Sequence, residues 1–172
     1  MKVGTLPASG MNASVDDLYR NHGSAALRLA YLLSGDRAGA EDIVQDAFTR
    51  ILGRLRGIRD PEALGAYLNR TIVNLAKNHH RTQGRLRGFL SSSAASTPDV
   101  SFMPDVEERD DLHRELLTLP YRQRAALVLR YCEDLPETFV AEALGTSPKA
   151  VRSLVGRGLT TLRSSNGKVR DG

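Results

Sequence analysis

Along residues 70–81, two arginines, a lysine and two asparagines recur at helical spacing: Arg70, Asn74, Lys77, Asn78 and Arg81 fall at i, i+4, i+7, i+8 and i+11. On a helix these five share one stripe, while Leu64, Leu68, Ile72 and Leu75 fall on the opposite side. Cations hold phosphates through charge, and an amide can both donate to and accept from a base edge. A solvated helix face ordinarily mixes in acids, yet residues 67–88 contain five Lys/Arg and no acid. The chemistry this stripe suits is a grip on nucleic acid, with phosphates held by the cations and base edges open to the amides.

A second constellation spans residues 136–155. Phe139, Val140 and Ala143 give a short helix its apolar side, Gly145 permits a tight turn, Ser147 caps and Pro148 begins the next helix. Ala141, Gly145 and Val151 sit where a helix-turn-helix needs a small residue, a turn glycine and a branched apolar residue. The second helix then exposes Lys149, Arg152, Ser153 and Arg157, as a major-groove reader requires. A structural helical hairpin shares the turn pattern, and a plain solvated face shares the charges. The charge distribution favours DNA: residues 149–170 hold six Lys/Arg and no acid, whereas residues 105–115 hold six acids against two arginines.

Helices must position both sets. The chain of 172 residues is 41% hydrophobic and 26% charged, with 5% aromatics and no Trp, a composition suited to helices and to two very small domains or one ordinary one. A helix is expected from the Ser14-Val15-Asp16-Asp17 cap to about Leu33, behind a loose tail at residues 1–13. Ser34-Gly35-Asp36 stops it and starts a second helix, with Ile43, Val44, Ala47, Phe48, Ile51, Leu52 and Leu55 inward and Asp42, Gln45, Asp46 and Arg50 on the polar face. Asp60 and Pro61 open the third. Residues 88–109 are rich in Ser and Pro without a helical stripe and read as a flexible linker. The fold expected is therefore all-α, two small helical domains over residues 14–87 and 110–165, with a tail at 166–172.

Several function classes are excluded at this stage. There is no nucleophile with a base, no Gly-rich phosphate loop and no metal-ligand spacing, so neither an enzyme nor a cofactor is expected. His79 and His80 are adjacent and point apart on a helix. A single cysteine, Cys132, excludes an internal disulfide and is expected to pack in the apolar run 125–131. No stretch approaches the roughly 20 apolar residues of a membrane span, and no signal peptide is present, so a cytoplasmic protein is expected.

Two stretches, in one order, resemble the extracytoplasmic-function group of the sigma-70 family of bacterial RNA polymerase sigma factors. Residues 28–52 resemble region 2.1 to 2.2, residues 66–78 resemble region 2.3, and residues 119–163 resemble region 4. The resemblance implies that Asp42, Gln45, Asp46 and Arg50 dock on the clamp coiled coil of the polymerase's largest subunit. It implies that Arg70, Asn74, Lys77, Asn78 and Arg81 hold the non-template strand of the −10 element. Arg152, Ser153 and Arg157 would read the −35 element, while Arg122, Arg124 and Lys149 take phosphates. The partners implied are core polymerase, including the flap of its second-largest subunit, promoter DNA and an anti-sigma factor. Three departures stand out: Tyr67 occupies the usual Trp position, His79 and His80 stand where relatives have Arg or Lys, and Gly156 and Gly158 lie in the reading helix. A stand-alone helix-turn-helix regulator explains residues 136–163 but leaves the stripe at 70–81 without a use.

Overall fold

The computed structural model describes residues 9–54, 61–89 and 107–169, with side chains over 16–54, 63–86 and 111–165. Seven α-helices and no strand occur among the described residues. Helices α1 (Ser9–Ser34), α2 (Arg37–Leu52) and α3 (Pro61–Phe89) form one bundle. Helices α4 (Glu107–Thr118), α5 (Tyr121–Leu127), α6 (Glu137–Ala143) and α7 (Pro148–Val169) form the second unit, α5 running directly into a π-helical turn at Val128–Cys132. No helix among the described residues is long and apolar enough to cross a membrane.

The first bundle closes on the stripes read from the sequence, except that Leu52, expected inward at the end of α2, is exposed. Leu29, Ala30 and Leu33 of α1, Ala47 and Ile51 of α2, and Leu68, Ile72 and Ala76 of α3 are buried. Each such Leu or Ile contributes about 1.5–3 kcal/mol through burial. Gly35 adopts φ 91° between α1 and α2. Asp36 then caps α2, its Oδ1 accepting from the Gly39 N–H at 2.6 Å.

Helix α1 starts at Ser9, so the helix start expected at Ser14 is corrected, and residues 1–8 of the expected tail lie outside the described residues. Residues 10–13 contain no proline, and the cap-like Ser14-Val15-Asp16-Asp17 lies inside a helix that continues through it. Helix α4, at Glu107–Thr118, falls within the acidic helix expected from Val106 to Leu119, whereas α3 extends to Phe89 and α7 to Val169, past the domain limits expected at 87 and 165, because no proline interrupts them. Most of the expected linker lies outside the described residues, as do Leu55 and the Asp60 cap.

The helix-turn-helix forms by the expected devices. Gly145, at φ 59°, ends α6 in a Schellman arrangement: Thr146 N–H donates to the Ala141 carbonyl at 2.8 Å and Gly145 N–H to that of Glu142 at 3.2 Å. Ser147 Oγ then accepts from Ala150 N–H at 3.2 Å, with Pro148 as the first residue of α7. Ala141, Val140 and Val151 fill the angle between the helices. Cys132 and Tyr131 depart from expectation: both are exposed, because the π-helical turn ends the apolar run and rotates them outward. Partial burial, then Glu133, raise the Cys132 thiol above its ordinary value, and Arg28 opposes them.

The two glycines of α7 differ in purpose. A Cβ at Gly158 would lie 2.7 Å from Leu127 Cδ1 and 3.3 Å from Leu127 Cγ, whereas one at Gly156 would meet nothing within 4 Å. Gly158 thus lets α7 approach α5. Gly156→Ala should stabilise the protein by about 1 kcal/mol through helix propensity. Gly158→Ala should be less stable than Gly156→Ala by about 1–3 kcal/mol through overpacking. Urea unfolding of the two variants measures the difference directly.

Candidate nucleic-acid interface

Helix α3 presents Arg70, Asn74, Lys77, Asn78 and Arg81, all exposed, from one continuous element. Beside Arg70 and Asn74 lies an open cleft of about 600 Å³, lined also by Thr49, Arg50, Gly53, Arg54, Tyr67 and Thr71. Arg50, expected on the polymerase-docking face, thus stands with the α3 residues. Arg54 is an addition that the sequence reading missed; its position one turn after Arg50 was the available signal. Its guanidinium carbon lies 5.8 Å from the centroid of the Tyr67 ring, a cation–π distance, so the aromatic at the usual Trp position is held by a cation.

The polar face of α2 is present as expected. Asp42, Gln45 and Asp46 are exposed, opposite buried Ile43, Val44, Ala47 and Phe48. His79 and His80 are both used internally and diverge. His79 Nε2 lies 3.2 Å from Asp36 Oδ2, tying α3 to the start of α2, and His80 stacks on Tyr121 with ring centroids 5.6 Å apart.

On α7, Lys149, Arg152, Ser153 and Arg157 are exposed together. Arg152 Nη1 is 3.2 Å from Glu137 Oε2 of α6, and Arg157 donates from Nη2 to Ser153 Oγ at 3.1 Å. Exposed pairs of this kind contribute about 0–1 kcal/mol, so phosphate or a base edge can displace them.

Arg122 is exposed, whereas Arg124 is buried and placed elsewhere than expected. Arg122 donates to the Leu144 carbonyl at 3.4 Å and lines a small cleft with Val73, Asn74, Lys77 and Tyr121. Arg124 is 2% exposed and donates from Nη2 to the Leu33 carbonyl at 2.9 Å, so the expectation of a surface phosphate contact is corrected in this arrangement. Burial lowers its pKa and the neighbouring Tyr121 acts against that, while burial raises the Tyr121 phenol well above its ordinary value. The cause is packing of the second unit on the first, which no local pattern encodes.

A helical bundle with a basic, amide-bearing stripe, joined in one chain to a helix-turn-helix, defines a two-domain DNA-binding protein. Residues 18–86 match the family Sigma-70 region 2, and residues 109–162 match Sigma-70, region 4. The chain is 33% identical over 160 residues to an RNA polymerase sigma-E factor of Streptomyces avermitilis, covering 91% of this chain and 87% of the relative. It is likewise 33% identical to the ECF RNA polymerase sigma factor SigE of Mycolicibacterium smegmatis, covering 87% of this chain and 60% of that protein. Among solved structures, the sigma factor RpoE in complex with the anti-sigma factor NepR from Bartonella quintana superposes with a TM-score of 0.69 at 22% identity, covering 88% of this chain and 95% of that one. CnrH in complex with the cytosolic domain of CnrY gives 0.67 at 23%, over 94% and 92% of the two chains. These two likenesses concern the fold.

The chain belongs to the sigma-70 family, as an RNA polymerase sigma factor of the extracytoplasmic-function type. Its partners are core polymerase and promoter DNA, and sigma factors are non-enzymatic regulators. The exposure of α7 sets one expectation. Arg152→Ala should relax base preference at one −35 position by about 1–3 kcal/mol. Lys149→Ala should weaken all sequences alike. Binding measured across a −35 substitution series separates the two, and unchanged preference in Arg152→Ala would place this residue outside the groove.

Proposed function

We propose that α3 captures the non-template strand of the −10 element while α7 reads the −35 element and α2 docks on the polymerase. The observation that carries this is the exposure of Arg70, Asn74, Lys77, Asn78 and Arg81 on one helix face beside an open polar cleft. In this reading the cations hold phosphates and the cleft receives an unstacked base. The Asn74 amide then tests one base edge, and Arg54, Tyr67 and Arg50 form the surrounding wall. Lys149 holds phosphate at the −35 element, and Arg152, Ser153 and Arg157 meet base edges. Arg122 and Arg124 join the phosphate contacts only where α5 is separated from α1 and α3.

Asp42, Gln45 and Asp46 form the polymerase-docking face, and the clamp coiled coil of the largest subunit is its partner. The functional domains are taken as residues 14–87 and 110–165. The protein acts in the cytoplasm through binding, with no reaction of its own. An anti-sigma factor completes the set of partners, a reading supported by the RpoE fold neighbour, which is seen bound to one.

Asn74→Ala should leave polymerase binding unchanged and slow open-complex formation about tenfold, one base contact being worth about 1–3 kcal/mol. A promoter already mismatched across the −10 region should recover part of that rate. Wild-type initiation rate and −10 preference in Asn74→Ala would remove this face from strand capture. Asp46→Lys should reduce competition for core polymerase while the far-ultraviolet circular dichroism stays that of the wild type. Full competition by that variant would move the docking face elsewhere.

A further inference from the structure

Of the two glycines in the middle of α7, only one has a use inside the chain. Gly158 is buried, and its missing side chain makes room for Leu127. Gly156 is exposed, a Cβ there would meet nothing within 4 Å, and its backbone has no positive φ that would call for glycine. A glycine in a helix interior lowers helix stability relative to alanine, and no packing among the described residues offsets that loss at Gly156.

Its place on the helix gives Gly156 a second property. At about 3.6 residues per turn, Arg152 and Ser153 lie one turn before it and Thr160 one turn after, with Lys149 and Arg163 a further turn away along the same line. All five are exposed, so the glycine is a gap in the middle of the polar face of α7. The two arginines beside it are drawn elsewhere: Arg152 pairs with Glu137 of α6 at 3.2 Å, and Arg157 donates from Nη2 to Ser153 Oγ at 3.1 Å. The Thr160 hydroxyl is turned onto the Gly156 carbonyl at 2.9 Å, which leaves a methyl as the free end of that side chain. The floor of the gap is the Gly156 Cα, which is apolar.

The major groove supplies one group that matches such a gap. A helix with its side chains is about 10–12 Å across and the groove is about 12 Å wide, so a helix seated there brings its central line against the base edges. Those edges carry hydrogen-bond donors and acceptors and one apolar projection, the C5-methyl of thymine. A notch with the volume of one methyl group and an apolar floor accepts that methyl, whereas a polar edge placed there would lose its water without a replacement partner.

We infer that Gly156 is a specificity-determining residue of −35 recognition: its missing side chain leaves a notch that takes the C5-methyl of a thymine, beside the bases met by Arg152 and Arg157. This inference rests on α7 as the −35 reader, and the test separates the two.

The full chain, assembled with core polymerase, is bound to a promoter duplex in which each thymine of the −35 element, on either strand, is replaced in turn by deoxyuridine. That replacement removes only the methyl. One position should weaken wild-type binding about fourfold, the effect of burying one methyl carbon. Gly156→Ala fills the notch, so it should bind the all-thymine duplex about fourfold more weakly than wild type does. At the sensitive position it should bind the uracil duplex at least as tightly as the thymine duplex. Because Gly156→Ala is expected to be the more stable protein, unchanged helical content by circular dichroism rules out unfolding as the source of the loss. A flat uracil series with the wild type overturns the notch, and so does a Gly156→Ala protein that keeps the wild-type preference for thymine. Arg152→Ala reports on the reader itself. Relaxed −35 preference in Arg152→Ala beside a flat uracil series keeps α7 in the groove and removes only the notch, while unchanged preference beside a flat series removes both.

Discussion

Helix α3 carries two opposed demands along its length, and the other elements are arranged around them. One side must bury Leu68, Ile72 and Ala76 against α1 and α2, because the bundle is too small to hold together without that apolar area. The other must keep Arg70, Asn74, Lys77, Asn78 and Arg81 toward solvent, with Arg70 held only by an exposed pair with Glu142 of α6. A helix of 29 residues satisfies both by rotation alone, and its rigidity fixes the spacing of the polar groups. Asp36 adds a second tie, since it caps α2 and also meets His79 of α3.

The border between the two sides of α3 is where the second unit enters. Val73 is buried, although it lies next to the polar stripe, because Tyr121 covers it and donates to its carbonyl. The seam combines polar anchors with tight packing: a buried guanidinium on a helix end, a phenol on a carbonyl, one exposed and one half-buried ion pair, a stacked histidine, and Leu117 against Gly35. Interfaces between domains of one chain are commonly polar enough to separate, because each parted group regains hydrogen bonds from water. That composition gives the arrangement specificity without making it permanent.

The reading helix is built in the opposite way. Gly145, Ser147 and Pro148 define the angle between α6 and α7 through backbone geometry and capping, and Gly158 brings α7 against Leu127. Its cations rest in exposed contacts with Glu137 and Ser153, which cost little to exchange. A firm backbone with lightly held side chains suits a surface that must slide over phosphates before it settles on bases.

Most of the helices, the Gly35 and Gly145 turns, the Asp36 and Ser147 caps and the two polar faces were legible in the sequence. Each is decided within one or two turns of chain, by periodicity, capping chemistry or a glycine at positive φ. The helix limits were less so, since the absence of a breaker carried α1, α3 and α7 beyond their apparent signals. The fates of Arg124, Val73 and Arg50 were not legible. Tyr121 reaches Val73 across 48 residues and Arg124 reaches Leu33 across 91, and no local pattern encodes a contact at that separation. Side-chain type determined that Arg124 is always a cation. Only tertiary packing decided that its partner is the carbonyl end of α1, because burial removed the water that would otherwise have solvated it.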